Sequence, residues 1–125
     1  MKRMLNRNKQ EIYYALFKEL EIIRNPAGHE IGRRPVYHNP VRAMVRVTPA
    51  RGEADVEIFG IALIYDKVMQ YGKGKLPIDE TAVLFVDRMP VIENDGSTET
   101  RHDYTVTRIA TDINYTTVAI SKTAT

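Results

Sequence analysis

Hydrophobic and polar residues alternate most regularly from Pro40 to Pro49, PVRAMVRVTP. Val41, Ala43, Val45 and Val47 fall on one side, and Arg42, Met44, Arg46 and Thr48 on the other. A period of two bounded by prolines predicts a half-buried strand with an Arg-bearing outer face. The next stretch, ARGEADVEIFG from Ala50 to Gly60, sets Glu53, Asp55 and Glu57 between Ala54, Val56 and Ile58, with Gly52 and Gly60 near its ends. Glycine permits turns at both limits, so the segment reads either as a hairpin with a polar outer face or as a projecting acidic loop. Ile61 to Met69 then resumes an apolar strand.

Elsewhere the pattern is less uniform. Glu11 to Arg24 (EIYYALFKELEIIR) carries a helix-like stripe at Ile12, Leu16, Leu20 and Ile23, but its β-branched and aromatic residues also suit one strand, or two strands pairing around Lys18 to Leu20. The strand reading agrees with the β-like sequence downstream, and a domain tends to be consistent across levels. Asn25-Pro26-Ala27-Gly28 is a turn signal. Gln70 to Lys75 (QYGKGK) predicts a basic turn, and Ala82 to Val86 a buried strand. Asp87 to Asp103 is a polar excursion with a turn at Asn94-Asp95-Gly96-Ser97. Tyr104 to Ala110 and Tyr115 to Lys122 close the chain as two strands. The apolar phase of the first moves from Val106 to Ile109, which predicts a bulge. The pattern divides the chain into a mobile basic arm (1–10), a single mainly-β domain (11–122) and a short tail (123–125).

A chain of 125 residues can bury one core. It contains no Cys, hence neither a disulfide framework nor a thiolate metal site. Its longest apolar runs fall well short of the roughly 20 residues that span a bilayer, so a soluble protein without a membrane partner is expected. The net charge of +2 conceals a segregation. Residues 1–51 hold 11 Lys and Arg against 4 Glu, or +7, and residues 52–125 hold 7 against 12 acids, or −5. Such a domain can attract nucleic acid to its basic part or meet its own copies head to tail. The contact candidates on the basic side are Lys2, Arg3, Arg7 and Lys9 in the arm and Arg42 and Arg46 on the strand.

Catalytic chemistry finds little support. His29, His38 and His102 fall in three separate loops without HxH or HxxxH spacing. No serine occupies a GxSxG elbow, and GKGK lacks the eight-residue spacing of a phosphate loop. Asp79 and Glu80 are adjacent, so they point to opposite sides of an extended chain. No catalytic residue, metal or cofactor is expected. A small β domain can also bind nucleic acid through its basic arm and the Arg42/Arg46 face, although exposed aromatics of the kind that stack bases are not clustered here.

The order of parts resembles the small head-closure proteins of long-tailed bacteriophages, also called stopper or head–tail joining proteins. The resemblance rests on a basic arm, a strand ending in PARGEA, then FGIALIYDKVM, PIDETAVLFVD, a long loop, HDYTVTRIA and a last strand, from about Arg7 to Lys122. It implies a small antiparallel β-barrel with long projecting loops, assembled as a homo-oligomeric ring in the virion neck after synthesis in the bacterial host cytoplasm. The implied partners are the portal or adaptor above, the tail terminator or tail tube below, and the viral DNA passing through. In such proteins a loop between central strands projects towards the DNA channel. The matching stretch is Ala50 to Gly60, which makes Gly52, Glu53, Asp55, Glu57, Phe59 and Gly60 the channel candidates. A ring of acidic loops would repel DNA phosphates, which favours sliding over gripping.

Overall fold

The computed structural model describes residues 9–49 and 65–123, and these form strands and connections without a helix. The strands are β1 (Gln10–Ala15), β2 (Phe17–Arg24), β3 (Glu30–Tyr37), β4 (Val41–Pro49), β5 (Lys67–Gly72), β6 (Val83–Phe85), β7 (Tyr104–Thr111) and β8 (Tyr115–Lys122). Six of them close into an antiparallel barrel in the order β1-β4-β5-β8-β7-β6, while β2 and β3 make a separate two-stranded ribbon. The expected small antiparallel β-barrel is therefore the observed fold.

Alternation builds the interior. Ile12 and Tyr14, Ala43 and Val45, Met69 and Tyr71, Leu84 and Val86, and Val118 and Ile120 each stand two apart on their strands or strand ends, and all belong to one buried cluster. Period-two side chains on a closed sheet point alternately inward and outward, so every strand contributes to the same core. A smaller cluster lies on the other phase of β1 and β6. Ala15, Val83 and Phe85 are buried there, with Tyr13 and Tyr37 packed against them. This outer cluster seats the base of the ribbon on the barrel wall.

The ribbon arises inside what would otherwise be one long β1–β4 hairpin. Tyr14 pairs with Val41, and beyond that point the two limbs separate from the barrel and pair with each other as β2 and β3. The break falls at Leu16, whose carbonyl accepts the His38 N–H at 2.7 Å. Residues 11–24 are thus two strands, but they belong to different sheets and do not pair around Lys18 to Leu20. At the ribbon tip the Asn25 side chain accepts the N–H groups of Ala27 and His29, and Gly28 takes the left-handed conformation, φ 86°, that this turn requires.

One further boundary differs from expectation. The strand entering QYGKGK continues through Gly72, because Gln70, Tyr71 and Gly72 pair with Thr117, Thr116 and Tyr115 of β8. The turn is confined to the residues after it, where the Lys75 N–H reaches the Gly72 carbonyl. The predicted bulge in β7 is present: Val106 faces Ile120 and Arg108 faces Ala119, leaving Thr107 as the extra residue, its hydroxyl 2.6 Å from that of Ser121.

The shortest strand carries the least ladder. β6 meets β7 at only two register positions, Val83 with Thr105 and Leu84 with Tyr104. Where the ladder stops, the Asp103 carboxylate takes over. Its Oδ1 accepts the Val86 N–H at 2.9 Å, and its Oδ2 accepts those of Asp87 and Arg88, each at 2.8 Å. Asp103 is buried, and its own backbone links Leu84 of β6 to Thr123 beyond β8. Replacing Asp103 with Ala leaves three backbone donors unpaired, each costing about 1–3 kcal/mol. We expect Asp103→Ala to destabilise the protein by about 3 kcal/mol or more, and Asp103→Asn to cost less because one acceptor oxygen survives. Urea and thermal unfolding followed by circular dichroism would check this; a loss below about 1 kcal/mol for the Ala variant would contradict the assigned role.

Candidate functional site

The acidic-loop candidates Gly52, Glu53, Asp55, Glu57, Phe59 and Gly60 lie outside the described residues, as do Lys2, Arg3 and Arg7 of the arm. The strands that border residues 50–64 are described, and they place that segment's attachment points. The C-terminal end of β4 and the N-terminal end of β5 pair at Pro49 and Lys67. In an antiparallel barrel this same end holds the start of β1, the end of β6, the start of β7 and the end of β8. Lys9, half-buried just before β1, therefore stands at the end of the barrel from which residues 50–64 depart.

That end is tied by a compact polar network. Lys67 Nζ lies 3.0 and 3.1 Å from the two oxygens of Asp87, and the Tyr104 hydroxyl donates to the same carboxylate at 2.9 Å. The Lys67 ammonium also sits over the Tyr104 ring, 5.5 Å from its centroid. Asp66 fastens the strand from the other side: its N–H donates to the Ile120 carbonyl, and its carboxylate accepts the Lys122 N–H at 2.6 Å. Partial burial raises the Asp87 carboxyl, but hydrogen bonds from Lys67 and Tyr104, aided by the charges of Lys67 and Lys122, hold it below the usual carboxylate value. Burial alone would lower Lys67. Its hydrogen bond to Asp87 and the attraction of Tyr104 and Asp87 reverse that and raise it.

The basic strand face is only partly free. Arg42, Met44 and Arg46 are exposed on β4, as alternation predicts, but Arg42 Nε lies 3.2 Å from Glu11 Oε2 on the neighbouring strand and Arg42 also contacts the Met44 sulfur at 3.7 Å. Arg46 has no ion-pair partner among the described residues.

A feature that the sequence reading did not single out lies at the opposite end of the barrel. The 87–103 excursion leaves beside β6, folds back on itself with the Glu93 N–H bonded to the Ser97 carbonyl, and reaches the ribbon base, where Asn39 Nδ2 donates to the Asp95 carbonyl at 3.2 Å. Gly96 allows that approach through its left-handed φ of 87°; a Cβ there would stand 2.9 Å from the Asn39 amide. Between the excursion and the ribbon is a cleft of about 560 Å³, whose walls include Glu21, Arg34, Tyr37, His38, Arg101 and His102. Glu21 and Arg34 are paired at 2.7 Å, and the hydrogen bond and charge of Arg34 lower the Glu21 carboxyl. Burial pushes His102 down against the opposing pull of Asp103, and raises the Tyr37 phenol, whose ring meets His102 edge-on. Burial thus favours the neutral form of the His102 imidazole. The one carboxylate among these groups, Glu21, is already paired with Arg34. Among the described residues no group of three or more His, Asp or Glu side chains is placed to hold a metal ion.

The sign of the Asp87 shift sets a pH test. A carboxylate held below its unfolded value contributes stability that is present above about pH 4 and is lost as pH falls through the folded value. Lys67, raised, keeps its contribution until pH climbs through its elevated value, so the pair is intact across the neutral range. We expect Asp87→Asn to cost on the order of 1 kcal/mol at pH 7, about 3–5 °C in Tm, with the difference from wild type shrinking towards pH 2. Thermal melts at matched ionic strength would show this convergence.

In comparisons with known proteins, no family model matches the chain, and neither the curated proteins nor the solved structures provide a match.

Proposed function

We propose that this chain is a structural protein of a bacteriophage neck, closing the DNA-filled head below the portal or adaptor and docking the tail. The observation that carries the reading is the serial resemblance of its segments to head-closure proteins, from PARGEA through FGIALIYDKVM and PIDETAVLFVD to HDYTVTRIA. The closed antiparallel barrel agrees with the fold that the resemblance implies. In this reading the protein works as a ring of identical copies, with portal or adaptor on one side, tail terminator or tail tube on the other, and viral DNA along its axis. Residues Gly52 to Gly60 are the gating element, their acidic side chains facing the lumen and repelling phosphate when DNA moves. The chemistry asked of the protein is mechanical and electrostatic rather than catalytic.

The competing reading is a nucleic-acid-binding module that uses the basic arm with Arg42 and Arg46. The Glu11 carboxylate against Arg42 weakens it, because half of the two-arginine face is already neutralised within the subunit. Under the neck reading, deleting Gly52 to Ile58 leaves a folded protein but gives heads that leak DNA or fail to acquire tails. Complementation in an infected host, with circular dichroism of the purified variant, measures both outcomes. Fully infectious particles from the deletion would remove the gating assignment. Strong salt-dependent DNA binding by the isolated protein, lost in Arg42→Ala with Arg46→Ala, would instead favour the nucleic-acid module.

A further inference from the structure

The β2–β3 ribbon is built as though it were half of something larger. All eight residues of β2 are exposed, and the ribbon leaves Phe17, Leu20 (53% exposed), Ile22 (43%) and Ile23 of β2 and Ile31 (64%) of β3 open to solvent. The β2–β3 register sets Leu20 opposite Pro35 and Ile22 opposite Arg33, so Leu20 and Ile22 stand side by side on one ribbon face. A lone two-stranded ribbon is marginal in water, and an apolar face of this kind is the usual mark of a contact surface.

From these contacts we infer that the ribbon's apolar face docks on a second copy of this chain, against the exposed Met89–Ile92 segment of the excursion, in a head-to-tail contact. This deepens the ring reading above and rests on it. Three observations select that occupant. First, charge: the ribbon from Phe17 to Tyr37 carries four cationic and three acidic side chains, and Glu21–Arg34 and Glu30–Arg33 are already paired. A nearly neutral, internally paired surface suits protein far better than nucleic acid. Second, area: taking roughly 200 Å² for a fully open side chain of this size, and leaving out Ile23, which alternation turns to the other face, the exposures leave about 400 Å² of apolar surface. A standard interface takes about 800 Å² from each partner and is a little over half apolar, so the patch is of the size that one such contact requires. Third, self-complementarity: the same chain exposes a second apolar group, Met89, Val91 (69%) and Ile92 (43%). An unrelated partner on the ribbon would leave this second patch in water. A neighbouring copy covers both, and a contact joining two different patches repeats around an axis until it closes.

The absence of cysteine makes the test direct. Full-length Ile22→Cys and Val91→Cys are prepared separately and oxidised alone and mixed, at roughly millimolar protein so that weak contacts are populated. Mixing should give several-fold more disulfide dimer than either variant alone, while Leu20→Glu placed in the Ile22→Cys chain should abolish the excess without changing its circular dichroism spectrum. Dimer yields equal in the mixture and in the single variants, or dominated by Ile22→Cys with itself, overturn the inference. A lysine-reactive cross-linker applied to the wild type separates this from the ring reading. If a closed ladder of oligomers forms and persists in Leu20→Glu/Ile22→Glu, the ribbon assignment fails and the ring stands; if the wild type forms no ladder, both fall.

Discussion

The barrel depends on a single carboxylate at its weakest seam. Closing six strands requires β6 to bridge β1 and β7, and β6 is only three residues long. Its ladder to β7 ends at Leu84, yet the backbone continues through the buried Val86 to Asp87 and Arg88 with donors that the ladder does not pair. Asp103 supplies both oxygens to three successive N–H groups, standing in for a strand that is not there. The neighbouring peptide groups hold the carboxylate in place, since the Asp103 N–H donates to Leu84 and its carbonyl accepts from Thr123. One residue thereby joins β6, β7 and the segment after β8, and the 17-residue excursion between Asp87 and Asp103 is pinned where it leaves and where it returns.

Pinning both limbs of the excursion organises the outer surface. It crosses from the barrel end that holds Lys67, Asp87 and Tyr104 towards the other end, where Asp95 meets Asn39 below the ribbon. The two ends are consequently unlike. One gathers the start of β1 and the strand ends that border residues 50–64, secured by the Lys67–Asp87–Tyr104 network. The other presents an apolar ribbon and a cleft. The difference follows from where the ribbon branches off, where the excursion crosses and where the polar network forms.

Much of this was legible in the residues, for reasons that can be named. The period of two in PVRAMVRVTP, the phase change in β7 and the turns at Asn25 and Asp95 are local signals, and each corresponds to a feature of the fold. What escaped was non-local. Alternation tells which face of a strand is apolar but not which strand lies beside it, so Phe17 to Arg24 reads as part of the barrel although, among the described residues, it pairs with β3 alone. The run through Gln70 to Gly72 was read as a turn because its glycine and lysines outweighed the pairing that β8 imposes. Asp103 was simply the last residue of a polar loop, since nothing local indicates that a carboxylate will serve backbone donors 15–17 positions earlier. The acidic segment on which the channel reading rests, Gly52 to Gly60, lies outside the described residues, so its place in the argument still comes from sequence and from the strand ends around it.

The charge segregation gains meaning once the strand order is known. β1 and β4 come from the basic part of the chain and are neighbours in the barrel; β5, β8, β7 and β6 come from the acidic part and are likewise contiguous. The sign change near residue 51 does not map onto the wall itself, however: β1 and β4 carry Glu11, Arg42 and Arg46, β5 to β8 carry Lys67, Arg108 and Lys122 without an acid, and the described acidic residues after residue 64 all lie in the connections. The ion pairs among the described residues respect the same division. Glu11–Arg42, Glu21–Arg34 and Glu30–Arg33 lie within the basic sector and its ribbon, and Lys67–Asp87 lies within the acidic one. Each part of the chain thus satisfies some of its minority charge internally. The acidic surplus is thus carried by the connections around the barrel, chiefly the 87–103 excursion, and the strands of the wall carry mainly cations. The contact inferred between copies of the chain would then set the nearly neutral ribbon against the acidic excursion, so apolar area rather than opposite charge on the wall would carry it.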